Sequence, residues 1–186
     1  MTPTLLVLAA LAAAPVPAAD VEELERARIA ATEAHLARLG GWAAGNVVAG
    51  SALLVVAEAA DVPAVRGLAL QSAAWGAINL GIIGAASLAP GAPTGDRSQA
   101  RMDEDFLGKV LWLNLGLDVG YVMAGSTLIL GGLVLPRSAN TPLGRVDPAM
   151  EAASHGLGIC VQGAGLFVLD VLALRGHADR EAALSE

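Results

Sequence analysis

Four stretches of the chain are apolar almost without a break: Gly40–Ala60, Gly67–Leu88, Val110–Leu135 and His155–Leu174. Acidic or basic side chains inside them are limited to Glu58, Asp118 and Asp170. Each run is long enough to cross a bilayer, since about 20 helical residues span a hydrocarbon core of ~30 Å. No run alternates polar with apolar residues, and an open sheet cannot satisfy its backbone in lipid. The pattern predicts an all-α fold, a membrane-embedded four-helix bundle. Connections of about 6–20 residues make neighbouring helices antiparallel.

The flanks divide the rest of the chain. Residues 1–19 read as a signal peptide, with an apolar core over Leu5–Ala14 that is too short to span, and small residues Val16-Pro17-Ala18 before a cleavage point after Ala18 or Ala19. The stretch before Leu5 lacks the usual Lys or Arg, which leaves an uncleaved anchor as the other reading. Residues 20–38 gather Asp20, Glu22, Glu23 and Glu25 at their start, where a helix dipole favours acids, and mix Ile29 and Leu36 with charge. This predicts an amphipathic surface helix, or a solvated lead-in to the first span. Residues 39–175 form the transmembrane domain, and 176–186 a polar C-terminal tail.

Small residues recur at four-residue spacing: Gly41 and Gly45; Ala77, Gly81 and Ala85; Gly116, Gly120 and Ala124. In lipid such ladders let helix backbones approach closely. WAAGNVVAGSA in the first run also resembles WGAINLGIIGA in the second, with Trp42 and Asn46 matching Trp75 and Asn79. A duplication or chance explains so short a match.

The polar residues inside the runs carry the candidate chemistry. Asn114, Asp118 and Tyr121 fall at i, i+4 and i+7, on one helix face. Gln71, Trp75 and Asn79 share a face of the second run; Trp42 and Asn46 share one on the first. His155, Gln162 and Asp170 come round close to one face of the fourth. At about 1.5 Å per residue, Asn79, Asp118 and Gln162 fall near mid-membrane. Lipid offers such groups no partner, so Asn46, Asn79, Asn114, Asp118, Tyr121, Gln162 and Asp170 are expected to point inward as a polar core. Two readings follow: hydrogen bonds that fix helix packing, each worth about 0.6 kcal/mol on average, or a functional polar cavity. Trp42 and Trp112, near span ends, read as interface anchors; Trp75 reads as a packing residue.

Composition excludes several classes. Hydrophobic residues make up 55% and charged residues 16%, and the eleven Lys and Arg form no cluster, so nucleic acid is not an expected partner. The single cysteine, Cys160, reads as a buried small residue. Haem is not expected, because His35 and His177 lie outside the runs and His155 at the opposite boundary. No HExxH, CxxC or GxSxG occurs, and no metal, cofactor or catalytic residue is assigned.

Two signals disagree on orientation. Even-numbered crossings place residues 20–38, the loop 89–109 and the C-terminal tail on one side, with eight basic residues, and leave Arg66, Arg137 and Arg145 on the other. The positive-inside rule makes the first side cytoplasmic, whereas a cleaved signal peptide makes it exterior.

The stretches LGGWAAGN (39–46), WGAINLG (75–81), LNLGLDVGYVMAG (113–125) and HGLGICVQGAGLFVLD (155–170) carry a resemblance. Over about residues 28–175 the chain resembles a family of uncharacterised bacterial membrane proteins, a domain of unknown function. The resemblance implies a small four-span protein of a bacterial inner or cell membrane, and no particular activity. The expected function is a non-enzymatic structural or complex-forming membrane component, its partners the lipid bilayer and further copies or a larger complex. The alternative is a small oligomeric transporter or proton-coupled subunit using Asp118, an intramembrane carboxylate being a functional candidate by default. An intramembrane enzyme is the weakest reading, for want of a nucleophile–base pair.

Overall fold

The computed structural model describes residues 18–62, 65–88, 91–134 and 147–185. They form five helices: α1 (Ala18–Ala59), α2 (Arg66–Ala86), α3 (Arg97–Val134), α4 (Pro148–Leu174) and the short α5 (His177–Ser185). No strand occurs among the described residues. The expected all-α bundle is borne out, and α1 to α4 are each long and apolar enough to cross a membrane. The signal-like segment lies outside the described residues, except that its last two residues open α1.

Local chemistry sets the helix ends. Asp96 caps α3 by accepting from the amides of Ser98 and Gln99. Asp147 caps α4 by accepting from Ala149 N at 2.9 Å, and Pro148 occupies the first turn, where its missing N–H costs nothing. Gly176, at φ +79°, supplies the left-handed turn between α4 and α5.

Close approaches fix the packing. A methyl group at Gly76 would lie 2.6 Å from the Ala43 carbonyl oxygen, and one at Gly50 would lie 2.5 Å from Ala73 N, so α1 and α2 pack backbone to backbone. Gly125 and Gly156 do the same for α3 and α4. Sequential neighbours run antiparallel. α4 also packs on α2 in parallel, with Gly67 against Ser154 and His155, and Gly158 against Leu68 and Gln71. By contrast, α2 and α3 make no close backbone approach. A cleft therefore runs between α3 and the α1/α2 pair.

The expected small-residue ladders are not at these contacts. Among the described residues, nothing within 4 Å would meet a methyl at Gly41, Gly45, Gly81, Gly116 or Gly120, and all five face outward. Large apolar residues share the outer surface, among them Leu113, Met123, Leu130 and Val168, each more than half exposed. The interior holds mostly glycine, alanine and polar groups, with Leu39, Leu111 and Leu115 among them. Such an inverted distribution suits a lipid surround, where small residues pack the helices and polar groups turn inward.

Residues 20–38 are the first half of α1, which continues unbroken into the first apolar run. The tail is helical and docked. Val21, Ala100 and Leu184 are buried together with Leu24 against them, which joins α1, α3 and α5 into a small head beyond the apolar runs.

Candidate functional site: a polar cavity in the cleft

A cavity of about 180 Å³ occupies the cleft. α1 contributes His35 and Leu39; α2 contributes Trp75, Asn79 and Ile82; α3 contributes Asn114, Leu117, Asp118 and Tyr121; α4 contributes Leu166 and Asp170. The i, i+4, i+7 spacing on α3 and the i, i+4 spacing on α2 turn these residues to one face each.

Asp118 and Asp170 are the charged pair of the site. Both residues line the cavity and both are buried, at 3% and 5% exposure. His35 Nε2 lies 3.4 Å from Asp170 Oδ1. Trp75 and Tyr121 close the cleft toward its middle, with ring centroids 4.9 Å apart and planes inclined at 58°, and so bridge the helices whose backbones stay apart. Asn79 and Asp118 are 4% and 3% exposed, yet Asn79 Nδ2 and Asp118 Oδ2 have no hydrogen-bond partner among the described residues. His35 Nδ1 has none either. Polar atoms left unpaired at this depth cost about 1–3 kcal/mol each. His, Cys, Asp and Glu side chains do not converge here as a metal site requires, among the described residues.

Of the seven residues the sequence singles out, five line this cavity: Asn79, Asn114, Asp118, Tyr121 and Asp170. Asn46 and Gln162 do not. They form a separate bond between α1 and α4, with Gln162 Nε2 donating to Asn46 Oδ1 at 2.6 Å. Near the other end of the bundle, Gln71 Nε2 meets His155 Nδ1 at 3.2 Å, and Ser154 Oγ accepts from Leu68 N. Trp42, expected at the interface, instead packs its ring against Gly165 of α4. Trp112 is 66% exposed among outward apolar residues.

Sequence reasoning missed His35, which it placed outside the spans. The signal was present: His35, Leu39, Trp42 and Asn46 fall at i, i+4, i+7 and i+11, one continuous face if α1 does not break.

No curated protein and no solved structure matches the chain. The model of the Family of unknown function (DUF6992) matches residues 38–171, which hold every cavity residue except His35, and the chain belongs to that family.

Proposed function

We propose that this is a non-enzymatic, multi-pass protein of a bacterial cell membrane that takes up and releases a proton at Asp118 and Asp170. One observation carries the reading: two buried carboxyls line one cavity inside an apolar bundle, with a histidine beside one of them. Two buried carboxylates that share one small cavity repel each other when both are charged, which favours a proton held on one of them. His35 extends the chain of exchangeable groups toward the head. Cooperation with a driving ion gradient follows naturally from an intramembrane acid of this kind.

The test is infrared difference spectroscopy of the protein in lipid. A protonated-carboxyl band is expected that titrates with pH and is lost in both Asp118→Asn and Asp170→Asn. Absence of that band at every pH at which the protein stays folded would sink the reading.

A second reading, a component that assembles with copies of itself, is supported by the outward ladders Ala77/Gly81/Ala85 and Gly116/Gly120/Ala124, which are exposed among the described residues. Mass measurement in detergent-free nanodiscs separates the cases. Gly120→Leu is expected to reduce any oligomer to the monomer, and a monomer at every lipid-to-protein ratio removes this reading.

A further inference from the structure

We infer that the cavity binds a small organic monocation carrying a hydrogen-bonding group, of the amino-alcohol class. This rests on the proton-exchange reading and names what takes the proton's place.

Size comes first. A proton on a carboxyl pair needs no cavity, and one water needs only ~10–15 Å³ of such space. The cleft offers about 180 Å³, enough for a small solute.

Charge comes next. The pair Asp118/Asp170 carries one net negative charge when it holds one proton, and a monocation neutralises it. A second ionisation of the pair would require the cation to sit between the carboxyls. The cation therefore competes with the second proton, the one that would otherwise neutralise the pair. The other titratable groups that line the cavity are His35 from α1 and Tyr121 from α3, while α2 offers Trp75 and Asn79. No Lys or Arg lines the cavity to neutralise the carboxyls from within.

The walls then specify an organic cation rather than a hydrated inorganic one. Trp75 and Tyr121 present aromatic rings at one end, and such rings attract ammonium groups and the carbons attached to them. Leu39, Ile82, Leu117 and Leu166 accept a short hydrocarbon stem. Asp118 Oδ2 lacks a donor, and Asn79 Nδ2 lacks an acceptor. A ligand that offers an ammonium and a hydroxyl supplies both.

The probe is ethanolamine, titrated into the full chain in nanodiscs by calorimetry. Ethylene glycol serves as the uncharged analogue, and propylamine as the analogue without the acceptor. Ethanolamine is expected to bind saturably and to quench tryptophan fluorescence. Ethylene glycol is expected to bind at least about tenfold more weakly, and propylamine between the two. Repeating the titration in buffers of different ionisation heat is expected to show proton release on binding. Asp118→Asn is expected to weaken ethanolamine at least about tenfold. Equal binding of ethanolamine and ethylene glycol, or no saturable binding of ethanolamine, overturns the inference. Should Asp118→Asn fail to fold, the comparison of the three probes on the unaltered chain decides. The carboxyl band separates the two claims: a titrating band without ethanolamine binding removes only this inference, whereas ethanolamine binding without any band removes only the proton reading.

Discussion

Gln162 of α4 donates to Asn46 of α1 at 2.6 Å, and Asn46 in turn donates to the Trp42 carbonyl of its own helix at 2.8 Å. The bond ties α4 to α1. Gln162 is 1% exposed, and its Oε1 has no partner, so the bond to Asn46 is its only compensation.

Removing either partner should therefore destabilise the bundle, though modestly. Hydrogen bonds between membrane helices average about 0.6 kcal/mol and reach about 1.7 kcal/mol. Asn46→Ala and Gln162→Leu, combined in a double-mutant cycle, are expected to couple by an amount in that range. Reversible unfolding in mixed micelles gives the number. A coupling of zero would show that the bond orients side chains without stabilising the fold.

The glycines make a sharper contrast. A methyl at Gly125 would lie 2.5 Å from the Gly156 carbonyl oxygen and 2.7 Å from Cys160 Sγ; a methyl at Gly156 would lie 2.5 Å from the Gly125 carbonyl oxygen. Backbone atoms cannot swing away, so α3 and α4 must separate. Gly125→Ala is expected to cost about 1–3 kcal/mol by overpacking. Gly120→Ala, which meets nothing within 4 Å, should stay within about 0.5 kcal/mol of the parent. Unfolding midpoints of the two variants check this, and equal effects would contradict the assigned helix faces.

Those faces show how far the sequence could be read. The four long helices follow from apolar run length alone, because lipid imposes a strict requirement on length and backbone pairing. The cavity face of α3 follows from the spacing of Asn114, Asp118 and Tyr121. The ladders misled because four-residue spacing marks a face of a helix without saying what the face meets. A better guide lay beside the polar residues: Gly125 falls seven positions after Asp118, and Gly76 three before Asn79, so these glycines share the inward faces. The head was not legible at all. Its partners are tens of residues apart, as with Glu104 and Arg180, and no local pattern brings them together.

That pairing supports the next prediction. Glu104, 1% exposed, accepts from Arg180 Nε and from its terminal guanidinium nitrogen at 2.8–3.1 Å, and lies 2.6 Å from His177 Nδ1. Breaking a buried pair by removing one partner costs about 3–5 kcal/mol, because the other charge stays buried without compensation. A nine-residue terminal helix has an easier way out, which is to undock. Glu104→Ala is therefore expected to release α5 while the four long helices stay folded. Trypsin should then cut after Arg175 and Arg180 much faster than in the parent, with helical content nearly unchanged by circular dichroism. Unchanged cleavage would mean that apolar packing around Leu184 alone holds α5.

The last prediction concerns how the head sets the width of the cleft. α2 and α3 do not approach closely, so their spacing is controlled from elsewhere. Two contacts do this at the head. Glu25 of α1 accepts from Thr94 N and Thr94 Oγ1, both at 2.9 Å, and from Gly95 N at 2.8 Å, which clamps the connection just before α3. Arg28 of α1 donates to Asp103 of α3 at 2.9 Å. Glu25 is 2% exposed, and hydrogen bonds to a buried charged group contribute about 1.5–3 kcal/mol. Glu25→Gln keeps the shape of the side chain but removes the charge and leaves one acceptor oxygen for three donors. The Thr94 and Gly95 amides should then exchange hydrogen at least about tenfold faster, since about 1.4 kcal/mol is a factor of ten. Adding Arg28→Ala frees α3 from its second tie to α1, and the Trp75–Tyr121 contact across the cleft should loosen. A shift of tryptophan emission that disappears in a Trp75→Phe background would report it. Faster exchange at Thr94 and Gly95 with no change at Trp75 would confine the clamp to the loop and leave the cleft held by α4 alone.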